Sequence, residues 1–169
     1  MTASITLRYD PAEDRILALI DDGSPEALAF WLTRRLTRNV IAQGNAFLER
    51  MSPVAQKTPM ALRAELAEME RQVALARTEG AVSHTPDGVL SGKAEGAELA
   101  VELTIARQGG GFLLTLIGRK GLRVSTAWSR DHLQRIVDML EKFAAHANWR
   151  EEMTPTGVPV EGAARLVRH

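Results

Sequence analysis

The stretch ELAVELTIARQGGGFLLTLIGRKGLRVSTAWSRDHLQRIVDMLEKFAAHA, residues 98–147, decides the fold. Three short runs of β-branched and apolar residues, Glu98–Arg107, Phe112–Ile117 and Leu122–Trp128, are separated by Gly109-Gly110-Gly111 and by Gly118-Arg119-Lys120-Gly121. Glycine clusters between such runs read as hairpin turns, so three antiparallel strands are expected. After Trp128 the apolar period changes from two to that of a helix. Leu133, Ile136, Val137, Leu140, Phe143, Ala144 and Ala147 fall on one stripe, with Ser129 as cap and Asp131 in the first turn.

Working backwards, the first fifty residues have the same grammar. Ile5–Asp10 and Arg15–Asp21 flank an Asp-Pro turn, Glu26–Leu32 alternates like a third strand, and from Thr33 the residues Leu36, Val40, Ile41, Phe47, Leu48 and Met51 form a helical stripe. An offset of 97 positions pairs Leu17 with Leu114, Trp31 with Trp128 and Val40 with Val137, which suggests an internal duplication. Between the two units, Thr58 and Pro59 open a helix to about Thr78 with Leu62, Leu66, Met69 and Val73 spaced by four, three and four. This seam is a candidate interface; its alternative is a stripe laid on the protein's own sheet. Residues 79–97 read as a loop, with a short edge strand as the alternative there, and 150–169 as a loosely attached tail.

The expected fold is therefore α+β: two antiparallel three-strand-plus-helix units form a curved sheet or small sandwich, with helices at 33–51, 58–78 and 129–148. One domain spans 1–149, composed of unit one (1–51), a helical insertion and loop (52–97) and unit two (98–149). The 169 residues and 45% apolar content suit one such domain. Twenty-one basic and twenty-one acidic residues leave no net charge to advertise a polyanion partner. With no cysteine there is no disulfide, thiolate metal site or cysteine nucleophile, and the longest apolar run, Ala27–Leu32, is far short of the ~18 residues of a membrane span. A cytoplasmic protein without membrane contact is expected.

The residues offer no catalytic constellation. His132 and His146 share a helix but stand 14 positions apart, roughly 21 Å of rise, too far to share a metal ion. The acids Asp10, Glu13 and Asp14 lack the glycine and closing glutamate of a calcium loop, and Gly109-Gly110-Gly111 leads into a strand, not into the lysine and helix of a phosphate loop. No cofactor or metal is expected. Charge is nonetheless uneven: five acids against Arg15 between Asp10 and Asp22 leave net −4, and Arg107, Arg119, Lys120 and Arg123 make +4. Arg34, Arg35 and Arg38 also crowd a helix N-terminus, against its macrodipole, unless an anion or a neighbouring acid such as Asp21, Asp22 or Glu26 offsets them.

Phe30-Trp31-Leu32-Thr33-Arg34-Arg35 resembles a string found in an uncharacterised bacterial family, and that resemblance implies no function. The element order alone looks like the head domain of scaffold proteins of DNA end joining and centriole assembly, without their stalk or shared motifs. Two functions are expected from the residues. The first is a non-catalytic interaction or scaffold protein, a homodimer or partner of another protein, working through Leu62, Leu66, Met69 and Val73 or through the opposed acidic and basic poles. The alternative is weak, sequence-independent binding of nucleic acid or another polyanion by Arg34, Arg35, Arg38, Arg119, Lys120 and Arg123 lining one groove.

Overall fold

The structure, a computed structural model, describes residues 3–52, 54–79 and 87–149. The tail at 150–169, with His169, and His84 in the central loop lie outside the described residues. The elements run β1 (Ser4–Asp10), β2 (Arg15–Asp21), β3 (Leu28–Thr33), α1 (Arg34–Arg50), α2 (Arg63–Arg77), α3 (Asp87–Ala94), β4 (Glu98–Gln108), β5 (Gly111–Gly118), β6 (Arg123–Trp128) and α4 (Arg130–His146). All six strands join one open sheet in the order of the chain, so the α+β expectation holds and the sandwich variant does not. Neighbours pair antiparallel except β3 and β4, which are parallel because the helical insertion separates them in the chain.

Turn chemistry sets the hairpins. The Asp10 carboxylate accepts the Ala12 and Glu13 amides at 3.0 and 3.2 Å, and Asp14 takes the left-handed conformation at φ 48°. Thr33 and Ser129 cap α1 and α4: their side-chain oxygens accept the Leu36 and His132 amides, each at 3.2 Å. Both helices lie on one face of the sheet over Ile16, Ile20, Phe30, Leu103, Leu114 and Leu116, and Trp149 closes this core with no exposed surface. The helices meet at Gly44, where an added Cβ would stand 2.6 Å from Val137 Cγ2.

Three expectations are corrected. Residues 87–94, read as loop or edge strand, form α3; Leu90 covers Leu17, Leu19 and Ala29 on the opposite face of the sheet, and that burial overrides the weak helix propensity of Gly88, Ser91 and Gly92. Thr58 does not cap the middle helix. Its hydroxyl donates back to the Val54 carbonyl across one short 3-10 turn, Ala55–Lys57, a second, Met60–Leu62, follows, and α2 begins only at Arg63. The offset of 97 also fails for the tryptophans: Trp31 pairs in register with Leu17 and packs on the α3 face, while Trp128 pairs with Phe112 and belongs to the core under α1 and α4. The strands are one residue out of phase with that offset, and a one-residue shift changes the face.

Candidate interaction surface

Helix α2 forms an outer layer on α4, and it docks by its charged side. Arg71 hydrogen-bonds to Asp138, a fully buried residue, and lies 3.8 Å from Glu141. Lys142 Nζ is 2.8 Å from the other Asp138 oxygen. Burial alone would push the Asp138 carboxyl up, but the hydrogen bonds from Arg71 and Lys142 outweigh it and hold the group below its ordinary value. Beside Arg71 in the chain, Glu70 accepts Arg130 Nη2 at 2.8 Å and the Ser52 hydroxyl at 2.7 Å, while Arg77 lies 3.6 Å from Asp131. Ala74 is the one apolar residue of α2 that is buried.

The apolar residues point the other way. Leu62, Met69 and Val73 are 50, 58 and 44% exposed, Leu66 is half-buried, and Met60 stands 83% exposed at the N-terminal approach. The alternative of a stripe laid on the protein's own sheet is therefore not what the structure contains. Leu62, Met69 and Val73 form an outward apolar face, with Leu66 at its half-buried edge, on a helix whose inward face is ionic, the reverse of the ordinary surface helix. The anchor was missed in the sequence although a signal exists: Gln134, Asp138 and Glu141 make a polar row beside the apolar stripe of α4, at spacings of four and three.

A cleft of about 630 Å³ opens between α1, α2 and α4, lined by Asn45, Glu49, Arg63, Arg71, Gln134 and Glu141 among others. Its walls are held together by their own charges, since Asn45 donates to Glu141 at 2.8 Å and Arg71 is taken by Asp138. Among the described residues no group of His, Cys, Asp or Glu could hold a metal ion, and no helix is long and apolar enough to cross a membrane. The Ser129 hydroxyl lies 2.7 Å from His132 Nδ1 and is engaged as the cap of α4.

The arginine crowding of α1 resolves in part. Arg34 sits 3.6 Å from Asp14 and stacks over Trp149 at 5.7 Å, and the same carboxylate accepts Tyr9 Oη at 3.0 Å and Trp149 Nε1 at 2.8 Å. The offsetting acid comes from the β1–β2 turn, not from Asp21, Asp22 or Glu26. Asp21 and Asp22 instead accept the Gly23 and Ser24 amides of their own turn, at 2.9 and 3.0 Å. The acidic pole is thus divided between the two ends of β2, roughly 20 Å apart for a seven-residue strand.

The two cation trios also have separate surroundings. Arg34, Arg35 and Arg38 open α1 after β3, and Arg119 and Lys120 lie in the turn between β5 and β6, beside the start of β4, where Glu98 and Leu99 are in register with Phe30 and Trp31. There Arg119 donates its amide to the Leu99 carbonyl at 2.9 Å and Lys120 its amide to Glu98 at 2.9 Å, and Arg123 opens β6. No family model, curated protein or solved structure matches the chain.

Proposed function

We propose that this chain is a non-catalytic interaction or scaffold protein of the cytoplasm, acting through protein–protein contacts and pairing as a homodimer through α2. The supporting observation is the outward stripe Leu62, Leu66, Met69 and Val73 on a helix that the ionic anchors of Arg71 and Glu70 fix in one pose. Exposed apolar surface of this kind gains roughly 25 cal/mol for each Å² covered, and a second copy of the same stripe covers it at the spacing of a short helical seam. Because Met69 and Val73 are exposed and take no part in the anchoring contacts, pairing requires no refolding of the domain.

Light scattering tests this reading. At tens of micromolar the native chain is expected to show a mass above one chain, and the double variant Met69→Lys, Val73→Lys is expected to lose that contact with an unchanged circular dichroism spectrum, because both side chains already face solvent. A native chain that is monomeric at that concentration in low salt overturns the proposal.

A further inference from the structure

The half of the sheet that α3 does not reach carries three rows of side chains on the face opposite α1 and α4. Strand register places Glu102, Ile117 and Arg123 in one row, Thr104, Thr115 and Ser125 in the next, and Ala106, Leu113 and Ala127 in the third. Their neighbours along the strands, Leu103, Leu114, Leu116, Val124 and Trp128, point into the core, so alternation puts all nine on the other face. Arg123, Ser125, Ala127 and Ala106 are exposed, Glu102, Thr104, Leu113 and Ile117 are half-buried, and Thr115 at the centre is buried with its hydroxyl 2.8 Å from Ser125 Oγ. Helix α3 packs over β2 and β3, and among the described residues nothing covers the rows on β4, β5 and β6.

The order within each row has a consequence for symmetry. A twofold axis parallel to β5, lying in the plane between two such faces, carries β4 of one copy onto β6 of the other and leaves β5 over β5. Glu102 then faces Arg123 of the second copy, and Arg123 faces its Glu102. Ile117 meets Ile117, Thr104 meets Ser125, Thr115 meets Thr115, Ala106 meets Ala127 and Leu113 meets Leu113. Every row is its own complement in charge, polarity and size, as an isologous interface requires. The two charges stand two strands apart, about 10 Å, so they do not satisfy each other within one chain. Neither has an ion-pair partner among the described residues. Small residues in the middle and third rows let two sheets approach to the ~10 Å of face-to-face packing. The usual aligned angle of ~30° displaces the outer strands by ~2–3 Å at the middle row and ~4 Å at the charged row, within the reach of Glu and Arg side chains.

We infer that this face of β4–β6 is a second homotypic contact surface, taking the same face of another copy of the chain. It uses none of the residues of the α2 stripe and does not rest on that reading. A chain with both surfaces assembles beyond the dimer, each copy joining one neighbour through α2 and another through the sheet.

The test is a set of masses by light scattering at matched concentration, each with a circular dichroism control. In the Met69→Lys, Val73→Lys background a dimer is expected to remain. Adding Arg123→Glu, which faces each Glu102 with a like charge, is expected to give a monomer, and the exchanged pair Glu102→Arg with Arg123→Glu is expected to restore the dimer. Ser125→Lys, at an exposed position of the middle row, is expected to act like Arg123→Glu. A monomer already present in the α2 variant overturns this inference and leaves the α2 reading standing. Loss of association on Arg123→Glu in a chain whose α2 substitutions change nothing supports the sheet surface and removes the α2 one. A folded Arg123→Glu chain of unchanged mass overturns the inference.

Discussion

Helices α4 and α2 touch along much of their length, are of similar size, and present opposite sides to the protein. Helix α4 (17 residues) lays Leu133, Ile136, Val137, Leu140 and Ala144 on the sheet and turns its polar row, Gln134, Asp138 and Glu141, outward. Helix α2 (15 residues) meets that polar row with Arg71 and leaves Met69 and Val73 in solvent. Both carry an apolar stripe, yet one helix is capped by Ser129 and held by hydrophobic burial, and the other has no side-chain cap and is held by charge. The difference shows that an apolar stripe marks a face to be covered without specifying what covers it: the sheet took the stripe of α4, and the stripe of α2 is left about half in solvent.

The largest expected effect separates the two stripes directly. Leu133 has no exposed surface, and Leu133→Ala is expected to cost about 2–5 kcal/mol through lost burial and the cavity left behind. Met69→Ala, at 58% exposure, is expected to fall within about 0.5 kcal/mol of the native chain. Urea unfolding of both variants checks the contrast, and equal losses would show that α2 buries its stripe in solution.

Next comes the charge that joins the two helices. Asp138→Asn leaves Arg71 and Lys142 without a carboxylate. Breaking a fully buried pair costs about 3–5 kcal/mol; here Arg71 keeps a third of its side chain exposed, so a loss of about 1–3 kcal/mol is expected. The pH dependence has a definite sign. The folded-state pKa of Asp138 is lowered, so the unfolded chain binds the proton more readily and stability rises with pH. The contribution is fully present above the unfolded value of ~3.9, from about pH 5 upward, and is lost as pH falls through the lower folded value. Acid unfolding followed by circular dichroism is expected to show a shallower decline for Asp138→Asn than for the native chain, with proteolysis inside 63–77 preceding global unfolding in the variant.

How far the sequence led follows from the same physics. The strands of 98–128 and both capped helices were legible because each rests on local signals: glycine turns, period-two alternation, and Thr33 or Ser129 followed by a stripe. Helix α3 was not legible, since Gly88, Ser91 and Gly92 argue against a helix and only the buried contact of Leu90 with Leu17 and Leu19 decides for one. Of the candidate sites, the seam Leu62, Leu66, Met69 and Val73 was visible as a pattern, while its outward orientation depends on the long-range pairs Arg71–Asp138 and Glu70–Arg130. Arg34 was recognised as an anomaly, and its partner Asp14 was missed because the two are joined only when the β1–β2 turn folds over the start of α1.

The smallest effect concerns the contact on which α4 rests, its crossing with α1. Gly44 is buried in the middle of α1, where glycine is about 1 kcal/mol worse than alanine for helix formation. An exposed glycine at such a place would therefore be improved by Gly44→Ala. Here the new methyl would stand 2.6 Å from Val137 Cγ2, and the β-branched Val137 is itself fully buried and has one strongly preferred rotamer in a helix. The crossing must widen, and overpacking of this kind costs about 1–3 kcal/mol. Subtracting the propensity gain leaves a net loss of about 0–2 kcal/mol, which thermal unfolding resolves when Gly44→Ala is paired with Val137→Ala. If the steric account is right, Gly44→Ala is less damaging in the Val137→Ala background than in the native one, because the deleted methyls make room for the added one. Stabilisation by Gly44→Ala in the native background would place α1 and α4 farther apart than the structure does and would weaken the contrast between a helix seated by packing and one seated by charge.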